Sequence, residues 1–219
     1  MHIGISLKLQ VASAGLAVAM VSGGCAMMAP KGERYVAPPI GSTWTQTSRN
    51  TGSYGSATNT VTIQSTERMW EGRRYLAFTW PGGAVLANPA DGGWSAILAP
   101  DGSPVVSFDP STGYDYPLVV DKTWTRSVRQ TLHKANKTLD SEVKYKVEAY
   151  EDVTVPAGTF KAFKMRQQWF LNSKLAADNT NWFAPELGIF VKQFQRRTAD
   201  SNFGPGTQEV EVISQTITK

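Results

Sequence analysis

Apolar and polar side chains alternate with a period of two along most of this chain, and Gly, Pro and Asp interrupt the alternation at short intervals. Near the C-terminus, Val210, Val212 and Ser214 fall on one parity and Glu209, Glu211 and Ile213 on the other. Successive side chains of an extended strand point to opposite faces, so this is the pattern of a half-buried strand. The same reading predicts strands over 43–50, 58–69, 73–80, 83–88, 93–98, 104–108, 122–133, 139–152 and 208–218. Their early links, Pro81-Gly82-Gly83, Pro89-Ala90-Asp91-Gly92-Gly93 and Pro100-Asp101-Gly102, carry the Asp-Gly and Pro-Gly steps that favour hairpin turns. Helical periodicity is almost absent, and the one candidate helical turn lies near 172–177. The fold class that follows is all-β and antiparallel: one barrel or half-barrel, open or closed.

The stretch most committed to a shape is 151–196, which reads as a β-meander. Pro156 fixes φ and Gly158 tolerates a positive φ, so Val155-Pro156-Ala157-Gly158-Thr159-Phe160 turns sharply between two extended segments. Beyond it Phe160 and Ala162 share one parity and Phe163 and Met165 the other, so both faces carry apolar groups and a central strand is expected. A polar loop is expected next, and then a pair of short strands broken at Pro185 and Gly188, within Trp182-Phe183-Ala184-Pro185-Glu186-Leu187-Gly188. The pairing of these two turns over about 153–192 resembles a pattern in bacterial envelope lipoproteins and secreted β-rich domains of unknown function, some of them compared with the LolA/LolB half-barrel. The resemblance implies a fold and an envelope setting, and it assigns no catalytic residue.

A weak internal repeat points the same way. Gly41-Ser42-Thr43-Trp44-Thr45 echoes Asp121-Lys122-Thr123-Trp124-Thr125, and the segment from Trp94 to Gly102 loosely echoes that from Trp182 to Gly188. Two units, 41–115 and 121–196, would each enter with a Thr-Trp-Thr strand and close on a Trp and an Ala-Pro turn.

The start of the chain reads as an address. Lys8 and the amino terminus give a short basic region, and the apolar run 9–21 is too short to span a membrane but suits a secretory signal. Cys25, the only cysteine, follows Ser22-Gly23-Gly24, an arrangement that resembles a lipobox with Ser22 where Leu or Val is usual. That resemblance implies cleavage before Cys25 and its acylation by diacylglycerol and palmitate; an ordinary signal cleaved nearby would instead leave a free thiol. Ala26 in place of Asp resembles the outer-membrane sorting signal. The expected organisation is a signal peptide at 1–24, a lipid-anchored, Pro-containing spacer at 25–40 and a β-rich domain at 41–219.

Loss of Lys8 leaves 21 basic against 18 acidic side chains, well interspersed, which argues against nucleic acid as a partner. With no second cysteine an intramolecular disulfide is excluded. His2 leaves with the signal, so any Ser-His-Asp triad would have to use His133, which ends a strand among basic residues. Asp109, Asp115 and Asp121 lie around Tyr114 and Tyr116; paired carboxylates could serve a glycosidase or calcium, but the six-residue spacings match no EF-hand register and such loops are commonly just solvated. No catalytic residue, metal ligand or cofactor is therefore expected. The seven tryptophans are expected in or at the ends of strands, mostly as core; the sharper expectation is that some line a concave apolar face.

The expected function is a non-enzymatic lipoprotein, tethered through Cys25 to the outer membrane and facing the periplasm, that binds a lipid, a glycan or an envelope protein. Two alternatives stand beside it: a half-barrel carrier or receptor of apolar cargo, and a periplasmic hydrolase working through carboxylates.

Overall fold

The computed structural model of the chain describes residues 32–218. Twelve strands follow one another: β1 (Thr43–Asn50), β2 (Thr58–Trp70), β3 (Arg73–Trp80), β4 (Gly83–Ala87), β5 (Trp94–Leu98), β6 (Pro104–Asp109), β7 (Thr123–Leu132), β8 (Lys137–Val155), β9 (Gly158–Leu171), β10 (Lys174–Ala184), β11 (Ile189–Arg197) and β12 (Gly206–Thr216). Each pairs antiparallel with its sequence neighbours, and β1 pairs with β12, so the sheet closes into a barrel. Of the open and closed forms the alternation allowed, the closed one is realised. The only helical elements among the described residues are two single 3-10 turns, Gly52–Tyr54 and His133–Ala135.

The expected helical turn near 172–177 is instead a tight hairpin. Asn172 and Ser173 both adopt positive φ, 48° and 64°, and β10 starts at once with Lys174. A two-residue loop with both φ positive matches the right-handed twist of the flanking strands. The polar loop expected after it is also absent. Ala177 to Thr180 are paired on both sides, to β9 and to β11, within an eleven-residue strand. Their polarity belongs to the barrel interior, as the next subsection describes.

The strand directions sort the connections to two ends. The β2–β3, β4–β5, β6–β7, β8–β9 and β10–β11 links share the end at which β1 begins, here called the lower end. The β1–β2, β9–β10 and β11–β12 links lie at the upper end.

The lower end is closed by three pieces of chain. Residues 32–42 form a strap: Gly32 O accepts from Leu118 N at 2.7 Å, Pro38 O from Ser65 Oγ at 3.0 Å, and Ser65 O from Gly41 N at 2.8 Å. The β8–β9 hairpin bends across the opening, so that Ala157 N donates to Val212 O at 3.2 Å. Its Val153, Val155 and Ala162 thereby join Trp44, Ile63, Ile189 and Val212 in one buried cluster. The β6–β7 link adds Leu118, which packs with Val147, Phe163, Met165 and Phe183. Gly188 carries the strap directly: its φ is +71°, and a Cβ there would stand 2.3 Å from Val36 O. Only glycine fits such a crossing.

On the outer face, Asp178 of β10 ties three strands together. It accepts from Arg166 Nε at 2.9 Å and Arg166 Nη2 at 2.8 Å on β9, and from Arg196 Nη2 at 3.3 Å on β11. The hydrogen bonds from Arg166 hold the Asp178 carboxyl below its ordinary value. A carboxylate with a depressed folded-state pKa stabilises the fold above its unfolded pKa, and that contribution is lost as pH falls through the folded value. Urea denaturation from pH 7 to pH 3 is expected to show stability declining at the acid end. Asp178→Asn should lower stability at pH 7 by about 1 kcal/mol and remove part of that acid slope. An unchanged slope in the variant would show that the triad contributes nothing.

Candidate functional site

A twelve-stranded barrel is wider than the eight-stranded kind that side chains can fill, so its interior has to be occupied by large side chains or left as a cavity. Here both occur. Two abutting cavities of about 330 and 390 Å³ occupy the lumen, and Tyr54, Trp94, Ile97, Tyr114, Gln193 and Arg197 border both.

The inward side chains divide the lumen into two unlike walls. In strand register, Tyr145 of β8 stands beside Gln167 of β9, then Asn179 of β10, Gln195 of β11, Gln208 of β12 and Asn50 of β1. This is a continuous row of hydrogen-bonding groups across six strands. Gln167 Nε2 donates to Tyr145 Oη at 3.2 Å, Asn181 Nδ2 to Gln167 Oε1 at 3.5 Å, Tyr54 Oη to Gln195 Oε1 at 3.1 Å and Gln208 Nε2 to Asn50 Oδ1 at 2.9 Å. Tyr145 Oη also donates to Thr112 O. Asn179 Oδ1 is buried in the middle of the row without a hydrogen-bond partner among the described residues. Such an acceptor is costly to leave unmade, and it is a place where a ligand can bond.

The facing wall is apolar. Ile63, Phe78, Val85, Ile97, Val106 and Phe108 come from β2 to β6, with Trp80 and Trp94 beside them. Of the tryptophans, Trp44, Trp80, Trp94 and Trp169 line the lumen, as expected for a concave aromatic face. Trp124 stacks on Tyr145 at 4.7 Å, and Trp182 lies on the outer face, donating to Glu151 Oε1 at 2.9 Å.

Among the described residues no acidic side chain borders either cavity. Burial pushes the phenols of Tyr35, Tyr114, Tyr116 and Tyr145 above their ordinary value, so they stay protonated at neutral pH and serve as neutral donors. The charge in the lining is Arg197, at the last residue of β11 and thus at the upper end. Its guanidinium lies 3.8 Å from the Tyr54 ring centroid and 4.7 Å from that of Phe203. The lower end carries the aromatic plug instead: Tyr35 lies 6.1 Å from Phe183 and 6.3 Å from Tyr116.

The residues singled out in the sequence do not gather here. Asp115 pairs with Lys122 at 3.0 Å and Asp121 with Lys146 at 3.5 Å, each separately, while Asp109 is exposed at the end of β6. Among the described residues no three His, Cys, Asp or Glu side chains come together as a metal site would need. His133 Nε2 meets Ser107 Oγ at 2.9 Å, a contact the sequence did not suggest. Ser107 has the opposite parity to the lumen-lining Val106 and Phe108, so the pair sits on the outer face. Cys25 lies outside the described residues. Sequence reasoning missed Gln167, Asn179, Asn181, Gln193, Gln195 and Arg197, although the run Gln193, Gln195, Arg197 keeps one parity in a strand.

A family model described as DUF3108-like matches residues 115–198, the stretch from the β6–β7 link to the end of β11. No curated protein matches the chain. Among solved structures, the hypothetical lipoprotein YmcC from Escherichia coli (K12) is similar at 10% identity with a TM-score of 0.50, covering 82% of this chain and 86% of that one. A protein described as exported, with a YmcC-like fold, from Bacteroides fragilis gives 14% identity and a TM-score of 0.47 over 84% of this chain and 99% of that one. A protein described as a lipoprotein from Parabacteroides distasonis gives 13% and 0.46 over 84% and 99%. At such identities the likeness to the Escherichia coli protein concerns the fold.

The two roles of the lumen tryptophans are separable. Trp44 is 5% exposed and sits inside the lower cluster, so Trp44→Ala should cost about 3–5 kcal/mol in chemical denaturation. Trp169, half-buried beside the cavity that it lines with Phe108, should cost markedly less when replaced by Ala, because less of its surface is withdrawn from water. Equal losses would mean that the upper lumen is packed core.

Proposed function

We propose that this chain is an exported envelope protein, acylated at Cys25 and held at the outer membrane with its barrel in the periplasm, and that the lumen retains a small amphipathic molecule. The observation that carries the ligand-binding part is the two-walled lumen: a row of amides faces an apolar wall across cavities whose volumes fall in the range of small-molecule sites. A lipid or glycan, with both polar and apolar surface, suits such a lining better than a protein partner, which needs a broad outer surface. The tether is supported by the lipobox-like Ser22-Gly23-Gly24-Cys25. The geometry is compatible with both parts. The chain enters the domain at the plugged lower end through the strap, whereas Arg197 and Phe203 stand at the upper end. A barrel anchored through residue 25 would then present its mouth away from the lipid surface, as suits a molecule that receives a ligand and keeps it.

Two measurements test this reading. Palmitate labelling of the parent chain, followed by membrane fractionation, is expected to mark the protein and place it with the outer membrane. Cys25→Ala should abolish the label, and a parent without label removes the tether. For the lumen, Ala177 of β10 points inward at the upper cavity, and Ala177→Phe should fill it while leaving thermal stability within a few degrees. Amphipathic compounds extracted from the purified parent and detected by mass spectrometry are expected to fall severalfold or more in the variant. An undiminished yield would place them elsewhere.

A further inference from the structure

The lumen contains one uncompensated charge. Arg197 borders both cavities, no Asp or Glu does, and no carboxylate among the described residues acts on its guanidinium. Its sequence neighbour Arg196 already has an acid, sharing Asp178 with Arg166 on the outer face. Arg126, an inward arginine of β7, is paired with Asp91 at 3.6 Å. The protein therefore supplies an anion to Arg126 and withholds one from Arg197. Its guanidinium donates from Nη1 to Ser53 Oγ at 3.4 Å and also bonds to the Tyr54 hydroxyl, which still leaves donors among its five N–H groups open. Stacking between Tyr54 and Phe203 fixes the plane of the guanidinium. Burial also holds the guanidinium below its ordinary value, a sign that water has been stripped from it without a countercharge in return.

A planar fork of donors, held by two rings at the mouth of an apolar cavity, matches a carboxylate or phosphate bidentately. Below it, the chain of lining residues runs past Leu171, Trp169, Phe108 and Val106, which would accept an alkyl tail. We infer that the lumen binds an amphiphile with an anionic head, its carboxylate or phosphate on Arg197 and its apolar tail lying in the barrel. This inference rests on the lumen being the ligand site and adds the charge and orientation of the ligand.

The test is calorimetric titration of the exported chain, stripped of copurifying amphiphiles, with dodecanoate, dodecyl phosphate, dodecanol and inorganic phosphate. At least one anionic amphiphile is expected to bind ten or more times more tightly than dodecanol, a factor worth about 1.4 kcal/mol, and the tighter of the two identifies the head group. Arg197→Gln should bring both anions to the level of dodecanol without changing dodecanol itself, and Arg197→Lys should keep part of the preference. If the Gln variant melts early, Arg197→Met, which keeps an apolar stem between the rings, takes its place. Equal binding of dodecanol and both anions by the parent overturns this inference while leaving the lumen as a binding site. Failure of every alkyl probe to bind overturns both. Inorganic phosphate binding as tightly as dodecyl phosphate, or a preference that survives loss of Arg197, also overturns it.

Discussion

The pairing of β1 with β12 is the contact on which the rest depends. Eight residues of β1 pair with β12 on one side and seven with β2 on the other, with one irregularity at Thr45 and Gln46. Without that pairing the molecule would have two long edge strands, each with a row of open backbone donors and acceptors ready to pair with another chain. Closure removes both edges and also decides what the inward residues face. Trp44, Gln46, Ser48 and Asn50 would line the margin of an open sheet; in the closed ring they complete the lumen beside Val210 and Gln208. A threonine pair on the outside reinforces the seam, with Thr51 Oγ1 2.7 Å from Thr207 Oγ1, and Thr45 Oγ1 lies 2.8 Å from Thr62 Oγ1 on the β2 side.

Closure of so many strands creates a second constraint. The ring is too wide for ordinary side chains to meet across it, so its ends have to be stopped or its interior filled with bulk. The protein does both at the lower end, with the strap, the folded-over β8–β9 hairpin and the Leu118 cluster, and does less toward the top. The result is a barrel stopped at its lower end and hollow within, one cavity reaching down to Tyr35, Trp44 and Gly188. The amide row lines the hollow itself. Its groups mostly satisfy one another, so it can be buried without prohibitive cost, yet the free Asn179 Oδ1 keeps it able to bond to something else.

The same arrangement explains which features could be read in the chain. Strands β1 and β3 have the boundaries that the sequence reading gives, because turn residues mark their ends: Gly41 precedes β1, Gly72 precedes β3 and Pro81-Gly82 follow it. The Pro156–Gly158 turn was legible because its backbone demands are local. Residues 172–181 were misleading because Asn179 and Asn181 point inward, and polar residues on both parities look like a loop when a strand's buried face is assumed to be apolar. The hollow itself leaves no local mark: whether Trp169 packs against a neighbour or borders a cavity depends on the radius of the ring, which is set by strand number and stagger far along the sequence. Arg197 was illegible for a related reason. Its sequence neighbour Arg196 has an acid and it has none, a difference that appears only once parity sends one outward and the other to the lumen.

That last difference bears on why a charge is kept at the mouth at all. A half-buried arginine without a carboxylate carries a desolvation cost that a leucine or a glutamine would avoid, and the fold gains little from it beyond contacts with Tyr54 and Phe203. Pairing it would have been simple, since Ser53 already approaches Nη1 and an acid on that turn would neutralise it. An internal carboxylate would also compete for every donor that the guanidinium offers. Leaving the charge open therefore trades a small amount of stability for a site whose field is aimed into the lumen, which is how a rigid barrel can orient a ligand without moving its own backbone.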